Sequence, residues 1–426
     1  MFEIRGIRLG DSGKSIHYDY SFSGSAAPYF RENELFHVKY DCDISNVPAG
    51  IAYIPLLANV APIAWFSGFD ISVPAIDRDF LDALSVIRSE WEIHYPQIKT
   101  IKSEIRVGEI ACHTIENGTP AMLFSGGVDA FATFFRLYDQ MPALITVHGA
   151  DIALDDQKQW DNVVRFNQSE PVLRPNSKHT IASNLHTFHT YKVDQLLESL
   201  AWWGNIQHGL ALIGLTAPLS FAKKYDTISI ASTRSSHMEF NPWGSMPEID
   251  NRIKWAGIQV VHDGFELMRQ DKVDLIVKSA NDLSTDVTVR VCYSDVKDGL
   301  NCSVCEKCLR TIFGIILTGS DPRRFGFQAD ASVYAKIEKA IGKGFKSRGT
   351  QFFWSEMLQK AKSGAKPFIF ENAADENASV QNILTLIAQG EKAGLIVPSG
   401  MQKFKHVLIN RYPKLFGAYL KIRRAI

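Results

Sequence analysis

A chain of 426 residues with 46% apolar and 11% aromatic side chains has ample material for two or three buried cores. Its 46 basic and 46 acidic side chains cancel, which removes any global electrostatic case for nucleic acid or an anionic membrane as partner. Glu3 and Arg5 interrupt the start where a secretory leader would need an apolar core, and the six cysteines show no disulfide pattern, so a reducing, cytoplasmic setting is expected.

Residues 1–115 read as a small α+β domain. Ile16, Tyr18, Tyr20 and Phe22 alternate with polar residues as a half-buried strand does, and Phe36–Tyr40 repeat the pattern. Asp77 is placed to cap a helix whose Phe80, Leu84, Ile87 and Trp91 make a single stripe, which feeds a core rather than a ligand pocket.

From Ala121 the pattern becomes strand, loop, helix, repeated. The apolar stub Ala121–Phe124 leads into Ser125-Gly126-Gly127-Val128-Asp129, and Val128, Phe131, Phe135 and Tyr138 then recur at helical spacing. Adjacent glycines let backbone approach an anion, Ser125 adds a hydroxyl, and the N–H groups of the helix start face a bound phosphate. Ala143–Val147, Thr180–Ala182 and Thr227–Ala231 are further strand-like runs separated by helical stretches, so residues 116–330 are expected to form an α/β domain, a parallel sheet with helices on both faces.

Ligands of such sheets sit at the carboxyl ends of the strands. That rule brings the Ser125–Asp129 loop together with His148-Gly149-Ala150-Asp151, Ser183-Asn184 and Ser232-Thr233-Arg234-Ser235. His148, Gly149, Asp151 and Ser183 are expected to border a nucleotide, with Asp151 either a ribose or metal contact or part of a solvated turn. Arg234 either neutralises phosphate, holds a substrate carboxylate, or makes a surface ion pair.

Between these segments, Ser199–Ala222 contains no Asp, Glu, Lys or Arg, yet Asn205, Gln207, His208 and Pro218 interrupt it, so buried helices are expected rather than a membrane span. His186 and His189 form either a second metal pair or an ordinary strand-end segment. Asn241-Pro242-Trp243-Gly244, with Glu248 and Asp250, reads as a substrate lid or a surface loop, and His262-Asp263-Gly264 ends a strand at which His262 is a candidate acid or base.

Cys292, Cys302, Cys305 and Cys308 follow, the last three at C-x2-C-x2-C spacing. Four thiolates close a tetrahedral shell around Zn²⁺ and leave no position open for water, so the site is expected to be structural; an iron–sulfur cluster is the other metal reading. Cys42 and Cys112 lack such context and read as core thiols. Residues 331–426 turn helical, with apolar faces at Ile337, Ala340 and Ile341 and at Ile383, Leu384, Leu386 and Ile387. Ser363-Gly364 and Ala373–Asn377 are expected loops, and Lys421–Arg424 a solvated tail.

The Ser-Gly-Gly-x-Asp loop and the cysteine knuckle that runs into Cys308-Leu309-Arg310 together resemble the PP-loop ATP pyrophosphatases, within them 7-cyano-7-deazaguanine synthase and its relatives. The resemblance spans roughly Met122 to Gly326. It implies an adenine-nucleotide α-hydrolase type of sheet, and ATP that adenylates a substrate oxygen with release of pyrophosphate. By motif, Ser125, Gly126, Gly127 and Asp129, with Val128 between them, would hold pyrophosphate and Mg²⁺, and the cysteines Zn²⁺; Asp129, Ser125 and Arg234 are the expected catalytic groups. Ala130 departs from the family's usual serine and removes one phosphate hydrogen bond.

Adenylation makes a carboxylate or amide oxygen a good leaving group, and the one Gly-Lys-Ser, Gly13-Lys14-Ser15, has Arg8 where the first glycine of a γ-phosphate-transfer loop would stand. A sulfur-carrying cysteine beside the loop and a glutaminase nucleophile are both missing, so a nitrogen nucleophile is expected to receive the acyl group. Substrates in view are a deazaguanine-like heterocycle, a small metabolite or a protein terminus, with a protein partner on the flanking regions. Sulfur transfer to tRNA or a metabolite, and a silent nucleotide-binding module, are the alternatives.

Overall fold

The computed structural model describes residues 1–238, 242–292, 299–342, 344–345, 347–362, 369–370 and 372–393. Its strands are β1 (Phe2–Gly10), β2 (Ser15–Phe22), β3 (His37–Tyr40), β4 (Ile71–Asp77), β5 (Ile105–Ala111), β6 (Thr119–Leu123), β7 (Ala143–His148), β8 (Lys178–Ser183), β9 (Tyr225–Ala231) and β10 (Gln259–Asp263). They form one ten-stranded sheet in the order β10-β9-β6-β7-β8-β3-β2-β1-β4-β5. The five strands β10, β9, β6, β7 and β8 run parallel, so the expected parallel α/β sheet is present. β6 lies at its middle, the chain going first to β7 and β8 on one side and then returning to β9 and β10 on the other.

The chain folds as two compact units, Met1–Cys302 with Arg324–Gly326, and Ser303–Arg323 with the residues from Phe327 on. The division expected at 115/116 is crossed by the sheet itself. β3 pairs antiparallel with β8, Tyr40 opposite Ile181 and Val38 opposite Ser183, and β2 and β1 continue that side before β4 and β5 pair in parallel. The strand signals at residues 16–22 and 36–40 mark real strands, but their partner is the parallel sheet rather than a separate small core.

Strand alternation sorts the helices between the two faces. Asp263 accepts from Thr133 Oγ1 at 2.7 Å and from Arg136 Nε at 3.0 Å, both on the helix Val128–Arg136. Its neighbour His262, pointing to the opposite face, meets Asp250 at the end of the helix Pro247–Asp250. The helix Ile54–Ser67, buried along nearly its whole length, packs against the helix His208–Leu215 and needs no amphipathic stripe because both of its sides are covered. The uncharged stretch 199–222 becomes a π-turn, Trp203–Gln207, and two short helices, His208–Leu215 and Ala217–Lys223. Among the described residues no helix is long and apolar enough to cross a membrane.

In the second unit, the helix Glu306–Leu317 packs against the helices Val333–Ile341 and Arg348–Lys362, with Phe313 beside Trp354. Ala373–Asn377, expected as a loop, instead opens the helix Ala373–Ala393. Asn372 Oδ1 accepts the N–H groups of Ala374 and Asp375 and so starts the helix there. Ser363-Gly364 and Lys421–Arg424 lie outside the described residues.

Asp77 caps the helix Arg78–His94 as its position predicts, and its stripe Phe80, Leu84, Ile87 and Trp91 is buried. The fully buried carboxylate also accepts from Ala256 N at 3.1 Å and pairs with His113 Nδ1 at 2.9 Å. Asp77→Ala is therefore expected to cost about 1–3 kcal/mol by leaving buried donors unmatched, measured as a drop in the urea midpoint at unchanged slope; an unmoved midpoint would contradict it.

Candidate functional site

The loop that follows β6 leaves the sheet where strand order reverses, between β6 and β9, which is where open parallel sheets hold ligands. Gly126 takes φ +75°, and a side chain there would meet Phe166 at 2.8 Å, so only glycine makes this turn without displacing the ring. Gly127 then caps the helix Val128–Arg136, placing Val128 and Asp129 in its first turn. Ser125 Oγ accepts Gly127 N–H at 3.3 Å. The following Ala130 is buried in the packed face of the helix.

Three cations converge on this loop from distant sequence. Lys272 Nζ lies 3.0 Å from Asp129 Oδ1 and also donates to the Ser232 carbonyl at the end of β9. Arg269 Nη2 lies 2.9 Å from Asp129 Oδ2. Arg290 donates its backbone N–H to Gly126 O at 2.6 Å and its Nε to Ser125 O at 2.9 Å, and reaches Asp151 at 3.5 Å. Burial alone would favour the neutral acid at Asp129, yet the fields and hydrogen bonds of Arg269 and Lys272 outweigh it and hold the carboxyl below its ordinary range.

None of these cations is marked by a local motif. The one sequence signal is positional: Lys272 shares the buried face of the helix Arg269–Asp282 with Val273, Ile276 and Ala280, and an ammonium in apolar register requires buried acceptors.

The other expected residues divide. Asp151 stands at the rim beside Arg290, and Arg234 stacks its guanidinium over the Trp243 ring at 5.3 Å, where partial burial lowers its pKa. His148 is engaged in the scaffold, stacked on Trp160 at 4.3 Å with Nε2 3.0 Å from Ala153 O, and burial holds its pKa low. Gly149 lies against the Ser183 carbonyl, and Ser183, fully buried, donates its hydroxyl to His37 O at the β3–β8 junction. The His148 ring is thus held by Trp160 and the Ala153 carbonyl, and the Ser183 hydroxyl by β3, rather than either being presented to a ligand as expected.

His186 packs on Trp203 and His189 bridges to Phe30. Among the described residues the one group of three or more metal-ligating side chains is Cys292, Cys302, Cys305 and Cys308, whose sulfurs all lie within 4.8 Å of one another. Four sulfurs about 2.3 Å from a tetrahedral ion would stand about 3.8 Å apart, so the donor set fits a metal ion. Cys305 caps the helix Glu306–Leu317, which places Cys308 in its first turn. Asn241 lies outside the described residues, while Trp243 and Gly244 are well placed against Gly204 and Gly209. Comparison with family models, with curated proteins and with solved structures finds no match to this chain.

Two outcomes follow from this geometry. Because the folded carboxyl of Asp129 is the stronger acid, its contribution to stability is complete above the unfolded pKa of about 3.9 and is lost as pH falls through the lower folded value. The stability gap between wild type and Asp129→Asn in urea is expected to be wide at pH 7 and to narrow at pH 3; an equal gap at both would show the pairing to be inert. The purified chain is expected to carry one tightly bound metal ion per molecule by elemental analysis, and Cys305→Ala to lose both the metal and solubility, since metal binding contributes directly to folding.

Proposed function

We propose that the chain is an ATP-dependent enzyme of the PP-loop type, which adenylates a carboxylate or amide of its substrate with release of pyrophosphate and passes the acyl group to a nitrogen nucleophile. The observation that carries this reading is the Ser125–Asp129 loop at the strand-order reversal, ringed by Lys272, Arg269 and Arg290. The N–H groups opening the helix Val128–Arg136 and the nearby cations suit a polyphosphate, and a departing pyrophosphate develops the charge that such fixed donors stabilise. Mg²⁺, when bound with the nucleotide, would share Asp129 and offset phosphate charge.

Arg234 and Asp151 flank the loop at neighbouring strand ends, suited to the α-phosphate or acyl group and to the ribose. The knuckle is assigned to Zn²⁺ in a structural role, since four thiolates complete its shell. Burial raises the pKa of the Cys42 thiol, and β5, which precedes Cys112, lies at the far edge of the sheet from the loop, which favours nitrogen over sulfur as nucleophile. The substrate class is one carrying a carboxylate or amide, small or at a protein terminus. A catalytically silent nucleotide-binding module is the second reading, favoured by the engagement of both Asp129 oxygens with cations.

AMP and pyrophosphate formation over a carboxylate and amide set, in Mg·ATP with ammonium, separates the two. Wild type is expected to form AMP with its own acid and Asp129→Ala to lose at least about 100-fold of that rate while keeping its fold and metal. Equal AMP formation in both would refute the loop assignment, and ATP binding without AMP from any acid would establish the silent module.

A further inference from the structure

Above the β9–β10 end of the sheet lies a buried group of polar atoms that the phosphate loop does not use. His262, near the carboxyl end of β10, donates Nδ1–H to Asp250 Oδ2 at 2.7 Å, and its side chain is 1% exposed against 0% for Asp250. Ser245 Oγ donates to the same oxygen at 2.6 Å, and His262 N–H is fixed by Asn251 Oδ1 at 2.7 Å. Among the described residues the buried atoms with no hydrogen-bond partner here include His262 Nε2, Asp250 Oδ1, His208 Nδ1 and Trp243 Nε1. Most buried side-chain polar atoms have a hydrogen-bond partner. This one has its donor tied and its acceptor nitrogen bare.

The surroundings hold that arrangement rigidly. The π-turn Trp203–Gln207 feeds His208 into the site, and such turns recur at functional positions. Gly244 N donates to Gly204 O and Gly209 N to Gly244 O, both at 2.7 Å, which clamps the Trp243-Gly244 segment over the turn. Gly209 is required by this closeness, because a side chain there would stand 2.0 Å from Asp250 Oδ1. The Trp243 ring links His208, at 5.9 Å, to Arg234. Burial lowers the pKa of His208 against the opposing fields of Asp151 and Asp250.

Resting on the adenylation reading, we propose that His262 is the proton acceptor for the nitrogen nucleophile, an ammonia or primary amine, with Asp250 as its positioning residue. The phosphate loop after β6 takes the nucleotide, and β10, which carries His262, stands two strands away on the β9 side of the strand reversal. The nucleophile's nitrogen forms its bond to the acyl carbon, and the carbon–oxygen bond to AMP breaks with its electron pair leaving on the phosphate. The proton shed by nitrogen goes to His262 Nε2 and then to solvent, while Asp250 fixes the tautomer and stabilises the imidazolium.

The test measures two half-reactions of the full chain: exchange of labelled pyrophosphate into ATP over the acid set, and amide formation with ammonium or methylamine. His262→Gln is expected to lower amide formation about 10²- to 10⁴-fold, far more steeply than exchange, with an unchanged melting temperature. Amide formation at the wild-type rate, or equal loss of both half-reactions, would overturn the proposal. Should the variant fail to fold, nitrogen-15 NMR of the wild-type histidines decides. A proton on Nδ1 and a bare Nε2 that shifts on adding Mg·ATP, acid and methylamine supports the role, and a protonated or unmoved Nε2 refutes it. A wild type that exchanges pyrophosphate with no acid refutes adenylation itself, and the assigned nucleophile falls with it.

Discussion

The ammonium of Lys272 is the constraint around which the candidate site is built. Its side chain is 3% exposed, and a buried charge without acceptors would cost several kcal/mol. Two acceptors come from different strand ends, Asp129 after β6 and the Ser232 carbonyl after β9. These strands are the adjacent pair at which strand order reverses, so one cation draws together the two loops that bound the crevice. Breaking such an arrangement costs more than it contributes when intact, so its value lies in fixing positions rather than in net stability.

The same logic explains the extension of the sheet. A five-stranded parallel block ending in β8 would expose a row of unpaired backbone groups. β3 covers it, and the polar residues at the junction are spent on that covering: Asn184 accepts His37 N–H at 2.9 Å and Asp41 accepts Thr180 N–H at 3.0 Å. Ser183 is the clearest case, since its position at a strand end suits a ligand but its hydroxyl is needed by the neighbouring strand. The amino-terminal strands are thus part of the scaffold that carries the crevice.

What could be read from the sequence followed from how local each signal is. The Ser125–Asp129 loop, the strands after it, the Asp77 cap and the cysteine spacing are short-range patterns, and each has its expected local form in the structure. Lys272 meets Asp129 across 143 residues of chain, and nothing in either segment announces the other. β1, β4 and β5 alternate only in short runs, broken by Gly6, Pro74 and Gly108, and the helix Ile54–Ser67 has no visible period because it is buried all round. Ala373–Asn377, expected as a loop, is helical because Asn372 accepts the N–H groups of Ala374 and Asp375 and makes these residues the first turn.

The charge around Asp129 also bears on how a nucleotide would enter. Each carboxylate oxygen already accepts from one cation, and each keeps a second lone pair. Two cations against one carboxylate leave the loop with a net positive charge, and Arg290 behind Ser125 adds to it. A free divalent cation approaching this group is repelled, whereas a polyphosphate is attracted, so on the proposed reading Mg²⁺ arrives with its nucleotide rather than ahead of it. Of the two cations Arg269, at 16% side-chain exposure, is the more exposed, while Lys272 is also committed to the Ser232 carbonyl. The pairing that holds Asp129 is then the same one that keeps the crevice ready for an anion.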